Sequence, residues 1–244
     1  MIMKILTFIL LIFFNSFALA DPLKNAIESE IRSDKNVARD VYRHPYETLT
    51  FFGIRPDMTV IELSPGGGWY TEILAHYLKD NGELIAVHFD PSMGDFAKRV
   101  RDNFEKKLAS SSVYDQVKLA SLNSKYSEVE SVDVVVTFRN LHNWIGPNWD
   151  FIIKNSHASL KKGGLLGVVE HRAKEGTSIE NMKKTGYVTE KYAIESIEKL
   201  GFKLIAKSEI NSNPKDTKDH PRGVWTLPPV MRLKELDQDK YLQI

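Results

Sequence analysis

The segment VIELSPGGGWYTEIL, Val60 to Leu74, constrains this chain more than any other. A short apolar run from Thr59 to Leu63 ends in Ser-Pro and three glycines, and a stretch with helical spacing follows from Trp69 to Leu78. That order predicts a buried strand, a tight glycine turn and a helix. The same grammar recurs downstream. Strands are predicted over Leu84 to Phe89, Val117 to Leu122, Val132 to Phe138 and Leu165 to Glu170, with helical spacing over Gly94 to Leu108, Leu141 to Ile145, Asp150 to Leu160 and Glu190 to Leu200. Strands alternating with helices predict an α/β fold, a mostly parallel sheet with helices on both faces. Two further runs, Phe202 to Ile210 and Gly223 to Leu227, are joined only by a polar loop. They are predicted as a C-terminal antiparallel pair, because a parallel neighbour needs a longer crossover.

Nothing between these elements reads as a linker or a repeat, and 42% hydrophobic residues in 244 suffice for one core. Residues 21–244 are therefore expected to form a single domain. Within it, 21–53 form a helical N-terminal cap, from the spacing of Leu23, Ile27, Ile31, Val37 and Val41, and 54–244 form the core and tail. The mixed charges between Glu28 and Arg43 read as a solvated helix face. Residues 1–20 have the form of a cleaved signal peptide: Lys4, an apolar run from Ile5 to Phe14, and Ala18-Leu19-Ala20. The run falls short of the roughly 20 residues that span a bilayer, so no membrane anchor is expected after cleavage, and the protein is expected in the periplasm or secreted. Basic and acidic residues nearly balance, 33 against 32, which gives no field that would draw in nucleic acid. The absence of cysteine excludes disulfides and thiolate metal sites.

A glycine turn at the carboxyl end of a strand permits close approach of a ligand to the backbone. It is not a phosphate-cradling P-loop, because Trp69 and Tyr70 stand where Lys and Ser or Thr belong. The spacing suits a nucleotide-like ligand better: the next strand ends in His88-Phe89-Asp90, about 20 residues beyond the loop, where a ribose-binding acid belongs.

Together, Glu62 to Gly68, His88 to Asp90, Asp133 to Val136 with Asn140-Leu141-His142, and Leu160-Lys161-Lys162-Gly163-Gly164 resemble the successive motifs of class I S-adenosylmethionine-dependent methyltransferases, over about Thr59 to Leu227. PGGGWYT, RNLHNW and NPKDTKDHPRGVWTLPP resemble a group of exported predicted methyltransferases of undefined acceptor. The resemblance implies a Rossmann-like core with S-adenosylmethionine as cofactor and a small-molecule acceptor. It places Glu62 near the methionine moiety, the backbone of Ser64, Pro65, Gly66, Gly67 and Gly68 beside the amino-acid and sulfonium region, and His88 or Asp90 near the ribose. Two positions depart from the family pattern: Ser64 replaces its first glycine, and His88 stands where the acid usually ends the strand.

Tyr70, Trp69, Asn140, Asn143 and Trp144 are candidates for cofactor contact, each with packing or helix capping as the alternative. The candidate general bases are His142 and His171, the latter flanked by Glu170 and Arg172. The polar loop from Asn211 to Pro229 is expected to close the acceptor side through His220, Arg222 and Trp225. No histidine pair has zinc-site spacing, so no metal is expected, although Asp216, Asp219 and His220 lie close in sequence. Two other readings stay open: an exported, non-catalytic binder with a retained nucleoside-type pocket, and a nicotinamide oxidoreductase, which the PGGGWYT loop disfavours.

Overall fold

The computed structural model describes residues 21–234 and 236–244. The signal-peptide segment lies outside them. The N-terminal cap is four short helices: α1 (Pro22–Ile27), α2 (Asp34–Val37), α3 (Asp40–Arg43) and α4 (Pro45–Phe51). Asp21 starts α1 by accepting from the backbone N–H groups of Leu23 and Lys24, with Pro22 at the position where its missing N–H costs nothing. His44, in the left-handed region, ends α3 and turns the chain into Pro45.

The core alternates as the sequence predicts. It runs β1 (Thr59–Leu63), α5 (Trp69–Leu78), β2 (Glu83–His88), α6 (Asp95–Leu108), β3 (Lys118–Ser121), β4 (Val132–Phe138), α7 (Leu141–Trp144), α8 (Trp149–Ser159) and β5 (Leu160–Val169). Then come α9 (Ile179–Thr185), α10 (Glu190–Glu198) and α11 (Gln238–Tyr241). The five strands pair in the order β3-β2-β1-β4-β5, all parallel. Successive strand residues point to opposite faces, which splits the core in two. Val60, Val134 and Val136 pack with Leu49, Ile73 and Leu74 on the face covered by α5 and the N-terminal helices. Ile61, Leu63 and Val135 pack with Leu141, Ile152 and Ile153 on the other.

The C-terminal antiparallel pair is corrected by the structure. Phe202 to Ile210 pairs with no strand, and Lys203 to Glu209 are exposed. Gly223–Thr226 is a single 3-10 turn. Gly223 sits at φ +56° so close to α9 that a Cβ would stand 2.0 Å from the Thr185 carbonyl oxygen. Its N–H bonds the His220 carbonyl, and the Arg222 N–H bonds Thr226 Oγ1 at 2.9 Å. Packing against α9 thus decides the conformation of an apolar run that β-propensity alone would extend. Among the described residues no helix is long and apolar enough to cross a membrane.

Candidate active site

β2 and β3 lie on one side of β1, β4 and β5 on the other. At such a switch point the loops leaving neighbouring strands diverge and open a crevice at the carboxyl ends. Those loops are Ser64 to Gly68 after β1 and Arg139-Asn140 after β4. A cleft of about 1970 Å³ begins there and runs past Glu170 and His171 along β5 toward residues 202–213.

The three glycines have different jobs. A Cβ at Gly66 or Gly67 would meet nothing within 4 Å, and both line the cleft. Gly68 faces inward: its φ is +77°, and a Cβ would lie 2.9 Å from the Lys107 side chain and 3.0 Å from Phe104. Gly68 therefore packs α5 against α6, while its two neighbours leave open backbone. Ser64 also takes a left-handed φ of 52°, and its buried Oγ has no hydrogen-bond partner among the described residues.

Beneath this loop Glu62 is only 2% exposed and accepts from Thr71 Oγ1 at 2.6 Å. Burial pushes its carboxyl up to about 7, against the opposing pull of Thr71, Arg43 and Lys107. Because the folded state holds this proton more tightly than the unfolded chain does, the associated stability is complete below the unfolded value of about 4.5 and is lost as pH rises through about 7. Glu62→Gln keeps an acceptor for Thr71 and removes the titration. Its melting temperature relative to the native protein is expected to be higher at pH 8 than at pH 5, and a pH-independent difference would refute the raised carboxyl.

His88 and Asp90 lie behind the loop, outside the cleft lining. The Phe89 N–H donates to His88 Nδ1 at 2.8 Å, so Nε2 carries the proton and donates to the Gly66 carbonyl at 3.2 Å. The ring stacks on Phe104, and burial holds its pKa below the usual imidazole value. A neutral histidine thus props the turn from behind. Asp90 Oδ1 accepts from the N–H and Oγ of Ser92, capping its own short turn. Asn140 Nδ2 lies 3.1–3.4 Å from Thr137 Oγ1 and the carbonyls of Ser64, Phe138 and Leu63, so it ties the β1 loop to β4. Tyr70 stacks on Phe138 with ring centroids 3.5 Å apart. Trp69 donates from Nε1 to the Asn36 carbonyl at 2.9 Å and docks the N-terminal helices.

On the far wall Glu170 organises both candidate bases. Its carboxylate accepts from His142 Nδ1 at 3.1 Å, from the His142 N–H at 3.2 Å and from the His171 N–H at 2.7 Å. The two imidazoles are 6.3 Å apart, and Trp225 meets His142 edge-on at 5.6 Å. Burial, then the nearby Arg139, His142 and Arg43, drive the His171 pKa well below its ordinary value, so this ring is neutral at neutral pH.

The acceptor-side group separates. Trp225 lines the cleft; His220 and Arg222 do not. His220 is buried, bonds Asp216 at 2.9 Å and packs on Tyr241, while Tyr187 donates to the same carboxylate at 2.8 Å. This network fastens the tail to the body. The stretch read as a solvated helix face is also corrected. Arg32 is buried and bidentate to Asp40, and Arg39 and Arg43 line the cleft together with Arg139. Their four-residue spacing, which puts both on one helical face, was the available signal.

Residues 61–168, from β1 through nearly all of β5, match the family model described as a methyltransferase domain. The chain is similar in structure to a SAM-dependent methyltransferase from Aquifex aeolicus, at 16% identity, covering 76% of this chain and 90% of that one with a TM-score of 0.55. It is also similar to the cyclase SpnF, at 15% identity, covering 90% of this chain and 81% of that one with a TM-score of 0.60. At these identities the likeness is one of fold. No curated protein matches the chain. The part of the Rossmann-like core from β1 to β5 thus matches a methyltransferase domain in sequence pattern, and the whole core shares the fold of such enzymes.

Proposed function

We propose that this protein is exported and transfers a methyl group from S-adenosylmethionine to a small-molecule acceptor. The observation that carries the reading is a single cleft joining the open glycine turn at Gly66 and Gly67 to the His142–Glu170 pair. The residues present fit the cofactor. Glu62 and the Ser64 to Gly67 backbone would hold its amino-acid end, the unpartnered Ser64 Oγ is a free polar atom at the same place, and Tyr70 and Phe138 offer an apolar wall. When bound, S-adenosylmethionine would supply a sulfonium methyl group to which an acceptor lone pair can bond, with the neutral thioether as the leaving group.

The chain's own work is positioning and proton removal. Glu170 fixes His142 with Nδ1–H toward the carboxylate, leaving Nε2 as the basic nitrogen that takes the acceptor's proton. The backbone bonds from Glu170 hold the β4 and β5 loops at one separation. Trp225 closes the acceptor side of His142.

Calorimetric titration of residues 21–244 with S-adenosylmethionine, S-adenosylhomocysteine and NAD tests the reading. Saturable binding of the first two, with none of NAD, is expected; no binding of either would overturn it, and binding without any transfer would favour the non-catalytic binder. The leader pattern supports export, and the intact mass of the mature protein is expected to begin at Asp21. A membrane-bound form retaining residues 1–20 would refute cleavage.

A further inference from the structure

Arg39, Arg43 and Arg139 line the same cleft from two elements that are distant in sequence. Burial first, and then repulsion from Arg139 and Arg39, disfavours Arg43 as a cation, and burial followed by Arg139 does the same to Arg39. Among the described residues none of the three forms an ion pair. Arg32, in the bend before α2, differs: its guanidinium is buried against Asp40 and Glu72, whereas Arg43 meets only the face of Trp69, 4.7 Å from the ring centroid. Arg139 follows β4 with a left-handed φ of 63°, and its Nη1 is buried without a hydrogen-bond partner. Gathering arginines in a partly buried wall is unfavourable unless something negative completes the arrangement.

The neighbouring acids supply only part of that charge: Glu170 favours the Arg139 cation and Glu62 the Arg43 cation, but neither forms an ion pair with them. Asp40 is engaged by both terminal nitrogens of Arg32. Glu170 is committed to His142 and two backbone N–H groups. Glu62 lies beneath the loop, bonded to Thr71, with burial favouring its neutral form. Tyr70 gives its hydroxyl proton to the Arg43 carbonyl at 3.3 Å, and burial keeps it un-ionised. The cofactor cannot neutralise the wall either, because its single carboxylate is outweighed by an ammonium and a sulfonium.

We propose that Arg39, Arg43 and Arg139 form the recognition site for an acceptor bearing an oxyanion, a carboxylate or phosphate, with a separate O–H or N–H nucleophile directed toward His142. Guanidinium forks match the paired oxygens of both groups. The inference rests on the methyl-transfer reading and adds the charge class of the substrate. It also accounts for arginines set beside the histidine–carboxylate group, where Arg139 and Arg43 act on His171 and Glu170 acts on Arg139.

The test starts from a small-molecule extract of the producing cells, separated by ion exchange into cationic, neutral and anionic pools before incubation with the mature protein and methyl-labelled S-adenosylmethionine. Label is expected in the anionic pool. Treating that pool with a phosphatase beforehand separates the two sources: loss of labelling identifies a phosphate, persistence a carboxylate. Labelling confined to the neutral or cationic pools overturns this proposal and leaves methyl transfer standing, while labelling of none overturns methyl transfer and this proposal with it. For the labelled acceptor, Arg39→Gln and Arg139→Gln are each expected to raise KM about tenfold or more, as loss of a charge-assisted hydrogen bond does. The S-adenosylmethionine Kd should stay within about twofold, less than the tenfold that corresponds to 1.4 kcal/mol. Arg139→Lys, which keeps the charge, should recover part of the lost affinity. A cofactor Kd that rises in step with KM would assign the arginines to the cofactor's own carboxylate, and an unchanged KM in both variants would return them to a structural role; either result overturns the proposal.

Discussion

Gly67→Val is expected to abolish measurable S-adenosylmethionine binding while leaving the melting temperature close to native. Gly67 lines the cleft, its φ lies outside the left-handed range, and a Cβ there would meet nothing within 4 Å. A valine can therefore take the native backbone, and its methyl groups would occupy the space the cofactor's amino-acid end needs. A loss of about 100-fold or more in affinity, roughly 3 kcal/mol, is the size expected when a branched side chain displaces a ligand from a close backbone approach. Gly68→Val is the internal control, because it combines left-handed strain with a clash against Lys107 and Phe104. That variant should lose about 2 kcal/mol of stability or more. Calorimetric titration beside thermal melting separates the two effects. Native affinity in folded Gly67→Val would remove the cofactor from this turn.

His142→Asn is expected to lower kcat by about 10²- to 10⁴-fold, the usual contribution of a positioned general base. Cofactor affinity should be retained, since His142 belongs to the far wall and has no bond to the glycine loop. Glu170→Gln should cause a smaller loss, because an amide can still accept from Nδ1–H but no longer balances the imidazolium that forms. Single-turnover transfer to the labelled acceptor measures both. Full activity of His142→Asn would show that the nucleophile reaches the methyl group without losing a proton to this ring.

The parallel core was legible because most of its strands are short apolar runs closed by turn residues, where local pattern and tertiary environment agree; β5 begins five residues earlier than its apolar run, at Leu160, where it pairs with Val132. At the C-terminus pattern and environment disagree. Phe202 to Ile210 and Gly223 to Leu227 have strand-like composition, yet the first is exposed without a ladder and the second folds as a turn under α9. No local pattern encodes that Gly223 must pass within van der Waals contact of Thr185. The same limit applies to the histidines. His88, His142, His171 and His220 are equivalent as letters, but one props a backbone turn, two share the Glu170 carboxylate, and one ties the tail to Asp216.

By itself, then, the sequence determined the order of strands and helices from β1 to β5 and the glycine turn after β1, while the cofactor came only from the resemblance of its motifs to a known family. The elements and the turn follow from period, turn chemistry and the residue that closes a strand, all of which act over a few neighbouring positions. Only the tertiary structure decided which residues share the cleft. Arg39 and Arg139 are 100 positions apart and His142 and Glu170 are 28 apart. Their meeting depends on β4 and β5 lying on one side of β1 and on the N-terminal helices packing over the other end of the glycine loop, which is a property of how the layers close and not of any local run of residues.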